Sequence, residues 1–86
     1  MTTMKQLINR MFGEKEDFYT YMEMFEESKD PTYIKLAEGE GDDYKTLYDI
    51  VFKDAPSTSK EEALQDYACM VYEKMKEHIV EAKGAK

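Results

Sequence analysis

The residues with the clearest potential for chemistry lie in one stretch, residues 36–49, which reads LAEGEGDDYKTLYD and holds five acids and two glycines. Clustered carboxylates are the oxygen ligands that calcium prefers. Counted from Glu38, however, an EF-hand loop would place Asp43 where the turn requires glycine, and the short Asp49 where a bidentate glutamate is required. The sequence therefore does not predict an EF-hand.

The same glycines also suggest a phosphate-binding loop, because Gly39 and Gly41 could expose backbone N–H groups before a helix. The surrounding acids would repel a phosphate, and Gly41 is not followed directly by the lysine of a P-loop. We therefore predict an acidic loop that joins two helices, with Asp42 or Asp43 capping the second one.

The sequence offers few candidate residues for nucleophilic catalysis, since the chain contains one cysteine and one histidine. Cys69 stands between Ala68 and Met70, neither of which stabilises a thiolate. His78 lies on an apolar helical stripe, where histidine usually packs at the edge of a core. The sequence predicts a protein that is not an enzyme and that needs no cofactor.

The negative charge of the chain is concentrated in its middle. The formal net charge is −7, and residues 14–54 alone hold thirteen acids against five lysines. Such a surface repels nucleic-acid backbones, so we expect no direct binding of nucleic acid. It suits a basic protein partner, although acidity can also serve solubility alone.

The apolar residues recur at i, i+3, i+4 and i+7, as in amphipathic helices, and no stretch alternates for long enough to predict a strand. We therefore predict one all-α domain over residues 1–86, a compact bundle of four main helices and one short helix. The predicted helices cover residues 3–12, 15–29, 31–38, 43–54 and 59–83.

The predicted helix ends rest on capping and breaking residues. Residues 3–6 and 59–62 have the form of capping boxes, with a hydroxyl residue first and Gln or Glu fourth. Asp30 and Pro31 fit an N-cap and a first helical position. Three glycines are predicted to end or separate helices. They are Gly13, Gly39 and Gly41.

Residues 17–54 carry a Tyr-rich segment, a Leu-Ala-Glu run and a Tyr-x-x-Leu-Tyr-Asp motif. With these features, the region of residues 14–54 resembles small ferritin-like helical proteins of Gram-positive bacteria and phages. In ferritin-like metal proteins, Glu and a His three residues later bind iron or manganese together with glutamates of other helices. The resemblance places Glu40 and Asp43 at that pair and Glu23 upstream. Because Asp43 replaces the histidine, it implies a ferritin-like fold with a degenerate metal site.

Two further groups of residues are candidates for contact surfaces. Tyr19 and Met24 fall off the apolar stripe of their helix and lie within the acidic segment, as interface anchors often do. On the last helix, Cys69 and Val80 lie nearly opposite the main apolar stripe. That helix is therefore either central in the bundle or in contact with a second copy.

Our leading hypothesis is a non-enzymatic protein that binds a basic protein partner. In its most specific form, it is a phage or mobile-element inhibitor that presents carboxylates where a nucleic-acid-binding target expects phosphates. The predicted contact residues are Tyr19, Met24, Glu38, Glu40, Asp42 and Asp43. Two alternatives stay open: a ferritin-like metal-binding protein using Glu23, Glu40 and Asp43, and a homodimer formed through Cys69 and Val80.

The expected compartment is the cytoplasm. A lone cysteine suits a reducing environment, and the polar, periodic N-terminal residues do not have the pattern of a secretory signal. No apolar run approaches the length of a membrane span, so we expect no membrane partner.

Overall fold

In the computed structural model, which describes residues 3–84, the chain folds into three long helices. Helix α1 spans Met4–Ser28, α2 spans Thr32–Val51 and α3 spans Ser59–Gly84. The described residues contain no strand, so the all-α prediction is confirmed. The prediction of four main helices and a short one is wrong, because α1 covers the first two predicted helices and α2 covers the next two.

Helix α1 continues through Gly13, the predicted end of the first helix. Met11 and Phe18 stand on either side of this glycine and are both fully buried. The two predicted apolar stripes, which begin at Met4 and Phe18, are about four turns apart and therefore form one face. Burial of this face outweighs the cost of about 1 kcal/mol for a glycine inside a helix.

Helix α2 likewise continues through both of its glycines, so the acidic stretch is helical. Gly41 is buried between Ala37 and Tyr44 on the stripe that packs against α3. A Cβ built on Gly41 would lie 3.9 Å from Met75 Cε, which is an ordinary contact distance. The predicted acidic loop, with a cap at Asp42 or Asp43, is therefore wrong.

Gly13→Ala and Gly39→Ala will each stabilise the fold. Neither glycine has a positive φ, and a Cβ at either position would meet no atom within 4 Å. We expect each change to raise the free energy of unfolding by about 0.5–1 kcal/mol, measured by urea denaturation. As the control, Gly13→Pro should cost about 3 kcal/mol. If Gly13→Pro left the free energy of unfolding unchanged and Gly13→Ala did not raise it, a helix would end at Gly13.

The first residues of α1 and α3 are held by side-chain caps. The Thr3 hydroxyl accepts a hydrogen bond from the Gln6 N–H at 3.2 Å, and the Gln6 side chain accepts one from the Thr3 N–H at 2.8 Å. The first predicted capping box is thus confirmed. At α3 the Thr58 hydroxyl, rather than Ser59, accepts from the Glu61 N–H at 3.1 Å. The second cap therefore begins one residue earlier than predicted.

A tight turn joins α1 to α2. Lys29 adopts a left-handed conformation with φ 58°, and its N–H donates to the Phe25 carbonyl at the end of α1. The Asp30 carboxylate accepts a hydrogen bond from the Thr32 N–H at 3.0 Å. This bond lowers the pKa of Asp30. The turn makes α1 and α2 an antiparallel hairpin.

Tyr44 lies where the three helices meet. It is fully buried, and its hydroxyl donates a 2.6 Å hydrogen bond to the Ala68 carbonyl of α3. Its ring stacks on Tyr72 and meets the edge of Phe12 from α1. Burial raises the pKa of the Tyr44 phenol, so this group remains a donor at neutral pH.

Helices α1 and α3 run parallel and touch through two aromatic pairs. Phe12 lies 5.8 Å from Tyr67, and Tyr19 lies 5.4 Å from His78, between ring centroids. The molecule is thin, with extents of 45 × 25 × 15 Å. One side of the α1–α2 hairpin therefore faces away from α3. Among the helices described, none combines the length and apolar character that a membrane crossing demands.

Candidate functional site

The four acids predicted as one contact surface lie on two sides of α2. At about 100° per residue, Glu38 and Asp42 lie toward α3, whereas Glu40 and Asp43 lie toward α1. Lys83 of α3 forms a 3.0 Å salt bridge with Glu38. The acidic stretch therefore provides two separate pairs of carboxylates.

Glu40 and Asp43 meet a third carboxylate, from α1. One carboxylate oxygen from each of Glu14, Glu40 and Asp43 lies within 4.8 Å of the others. The hairpin brings Glu14 beside Glu40, and Asp43 follows one turn later on the same side of α2. We call these three residues the carboxylate cluster.

Glu40 resists ionisation in this cluster. A side-chain hydrogen bond with Glu14 raises the pKa of Glu40 to about 7, and desolvation and the charges of Glu14, Asp17 and Asp43 act in the same direction. Its Oε2 atom is buried and accepts no hydrogen bond from residues 3–84. Near neutral pH, Glu40 is therefore only partly ionised, and an entering cation would displace its proton.

The carboxylate cluster lies on the side of α1 and α2 that faces away from α3, which we call the outer face of the hairpin. Exposed apolar side chains flank the cluster on this face: Met24 and Leu36 toward one end and Ile50 toward the other. Tyr21 and Tyr33 stack across the two helices at 6.5 Å, near Met24. The outer face thus combines a charged centre with apolar contact area on both sides.

The two predicted interface anchors have different positions. Met24 is exposed on the outer face of the hairpin. Tyr19 is half-buried between α1 and α3, with its ring 5.2 Å from Phe18 and 5.4 Å from His78. Tyr19 therefore contributes to the packing of the bundle and does not lie beside Met24.

Glu14, rather than Glu23, joins Glu40 and Asp43. Nine residues separate Glu14 from Glu23, so the two lie about 180° apart around α1. Glu23 is exposed in a groove beside His78. Glu14 could have been found from its spacing, because it lies three residues after Met11, on the edge of the α1 stripe. The predicted helix end at Gly13 placed the two residues in different helices, so this spacing was not recognised.

The predicted self-association residues lie on the exposed side of α3. Cys69 is exposed, and Val80 is 70% exposed. Eleven residues apart, they lie within about 20° of each other around the helix. In residues 3–84 no other helix covers this side, so the interpretation of α3 as a central helix is wrong.

Comparisons with protein-family models, with curated proteins and with solved structures find no match for this chain. The ferritin-like resemblance stays a prediction.

Proposed function

We propose that this chain is a non-enzymatic binding protein. The outer face of the hairpin receives a basic side chain of another protein. The observation that carries the proposal is the buried Oε2 of Glu40, which has no hydrogen-bond partner inside the carboxylate cluster. A buried carboxylate oxygen without a hydrogen-bond partner costs free energy, and a cation placed beside it offsets that cost.

Lysine or arginine fits the chemistry of the cluster. One ammonium or guanidinium group has enough N–H donors to bridge oxygens that lie within 4.8 Å of one another. Its binding displaces the proton held by Glu40, whose pKa is about 7. Affinity should therefore rise with pH up to this value and change little above it.

The apolar residues of the outer face suit a helical partner. On α2, Leu36, Glu40, Asp43 and Ile50 keep to the spacings of three, four and seven residues that define one helix face. A helix laid along the outer face of the hairpin would bring a basic residue to the cluster and apolar residues to Leu36 and Ile50. Charge would then select the partner, while apolar contact would lengthen the life of the complex.

The most specific form of the proposal is an inhibitor of a nucleic-acid-binding protein, of phage or mobile-element origin. Its support is the thirteen acids against five lysines in residues 14–54, a region that includes all of α2 and much of α1. Nucleic-acid-binding proteins present lysine and arginine to phosphates, and carboxylates compete for the same side chains. Such a complex is weakened by salt.

Affinity capture from a Gram-positive bacterial lysate, washed at low and then at high salt, tests the proposal. We expect the wild type to retain a basic protein that high salt releases, and Glu40→Gln/Asp43→Asn to lose about tenfold or more of it. Glu38→Gln/Asp42→Asn is the matched control, because it replaces one Glu and one Asp in the same way on the other side of α2 and should retain the partner. Equal losses from both variants, or no partner at either salt, would contradict the proposal.

A divalent metal ion is a second candidate ligand for the cluster. It is favoured by the convergence of three carboxylates within 4.8 Å and by the helical i, i+3 placement of Glu40 and Asp43. A site of oxygens alone suits Mn²⁺, Mg²⁺ or Ca²⁺ better than Zn²⁺. Such an ion would hold α1 against α2, so Mn²⁺ should raise the Tm of the isolated wild type and leave that of Glu40→Gln unchanged. An equal Tm with and without Mn²⁺ would remove this candidate.

A further inference from the structure

The outward side of α3 carries a stripe of six exposed residues, one of which, Lys83, forms a salt bridge with Glu38 of α2. Its members recur at alternating spacings of three and four, so they form one face of the helix. Two are acids, two are lysines and two are apolar, so the stripe is formally neutral in a chain of net charge −7. The stripe consists of Asp66, Cys69, Glu73, Lys76, Val80 and Lys83.

The stripe is complementary, in charge and in apolar character, to the same stripe running in the opposite direction. Counted outward from the midpoint between Lys74 and Met75, each acid on one side corresponds to a lysine on the other, and each apolar residue corresponds to an apolar one. The matched pairs are Glu73 with Lys76, Cys69 with Val80, and Asp66 with Lys83.

We propose that a second copy of this chain packs on the stripe, so that two α3 helices form an antiparallel homodimer. In this arrangement every charged residue of the stripe faces an opposite charge of the other copy. Two-fold symmetry makes each matched pair occur twice. The apolar contacts between Cys69 and Val80 lie between inner ion pairs of Glu73 with Lys76 and outer ion pairs of Asp66 with Lys83.

Charge complementarity selects this orientation and this register. A parallel pair in register would place Glu73 on Glu73 and Lys76 on Lys76, which repel each other. Sliding the antiparallel helices by one heptad would place Cys69 against Glu73, or Val80 against Lys76, and would lose half of the ion pairs. No other alignment of these helices matches all positions of the stripe.

The flank of the stripe that faces α2 adds apolar area. Tyr72 and Ile79 are half-buried there, beside a groove of about 240 Å³ between α2 and α3. In an antiparallel helix pair the equivalent flanks face each other, so Tyr72 of one copy meets Ile79 of the other. The second copy thereby covers an apolar groove that a single chain exposes.

The present partners of the lysines do not block this contact. The Nζ atom of Lys76 lies 3.3 Å from Oε1 of Glu73 on the same helix. The Nζ atom of Lys83 lies 3.0 Å from Oε2 of Glu38 on α2. Both pairs are exposed to solvent, where ion pairs contribute little to stability and exchange readily.

Disulfide trapping of a Val80→Cys variant tests the register. In the dimer the introduced thiol faces Cys69 of the other copy, and glutathione disulfide accepts the two electrons and two protons released as each bond forms. In the wild type the two Cys69 thiols are offset by eleven residues, about 16 Å, which is too far for a disulfide. Glu81→Cys is the control, since it points about 100° away at nearly the same height.

We expect a covalent dimer from Val80→Cys and monomers from the wild type and Glu81→Cys. A covalent dimer of the wild type through Cys69 would overturn the antiparallel register, and so would equal dimer yields from Val80→Cys and Glu81→Cys.

Charge reversal tests the same dimer without covalent chemistry. Glu73→Lys or Lys76→Glu alone creates two repulsive pairs and should weaken dimerisation by about tenfold or more in sedimentation equilibrium. The double variant Glu73→Lys/Lys76→Glu restores both pairs at an unchanged net charge and should return dimerisation to within about threefold of the wild type. A double variant as weak as the single ones, or a wild type that stays monomeric at millimolar concentration, would overturn the proposal.

Discussion

Glu40→Gln should remove the loss of stability that the wild type shows as the pH rises from about 5 to 8. The pKa of Glu40 is about 7 in the folded chain, against an ordinary 4.5. In this range the unfolded chain therefore holds fewer protons, and the free energy of unfolding falls with pH. The stabilisation by protonated Glu40 is complete below pH 4.5 and is lost as the pH passes 7. Because solvent partly screens this carboxylate, we expect a loss of about 1–2 kcal/mol.

Urea denaturation of both proteins across this pH range measures the effect. Two other carboxylates do not interfere, because hydrogen bonds from backbone N–H groups lower the pKa of Asp30 and that of Glu61. Their contributions have the opposite sign and are lost only at acid pH. Glu38→Gln is the control on the same helix, and we expect it to change the free energy of unfolding by no more than about 0.5 kcal/mol. An unaltered pH slope in Glu40→Gln would contradict the electrostatic description of the cluster.

Tyr44→Ala should leave most of the molecules unfolded at room temperature. Tyr44 is fully buried where all three helices meet, and removing such a ring costs about 3–5 kcal/mol. A single domain of this size has roughly that much stability in total. Tyr44→Phe keeps the ring and loses only the hydrogen bond to the Ala68 carbonyl, so it should cost about 1 kcal/mol.

Circular dichroism and urea denaturation distinguish these outcomes. Tyr67→Ala is the matched control, because Tyr67 is 45% exposed and its ring packs on Phe12 at the edge of the bundle. It should cost about 1 kcal/mol. A folded Tyr44→Ala variant with a loss no larger than that of Tyr67→Ala would show that Tyr44 does not organise the core.

The helical class could be predicted from the sequence, because apolar periodicity and N-terminal caps are local properties. The number of helices could not. Whether a helix continues through Gly13 or Gly41 depends on what its neighbours bury, and Met11, Phe18 and Tyr44 bury enough to outweigh glycine's preference for other conformations. Correct phasing of the two α1 stripes was the available signal for a single helix.

The candidate site was only half visible in the sequence. The spacing of Glu40 and Asp43 is local, and it indicates a pair of carboxylates once α2 is known to be continuous. Glu14 belongs to a different helix, and its position beside Glu40 depends on the alignment of α1 with α2. The same alignment separates Glu38 and Asp42 from the cluster, which composition alone could not reveal.

The carboxylate cluster is proposed to receive a basic side chain because Glu40 resists ionisation there, and an NMR titration of the Glu40 side-chain carboxyl in the isolated chain tests this most directly. The proposed function predicts a midpoint near pH 7 for this carboxyl. A midpoint near the ordinary value of 4.5 would mean that Glu40 ionises freely, and it would contradict the proposal that the cluster awaits a basic side chain.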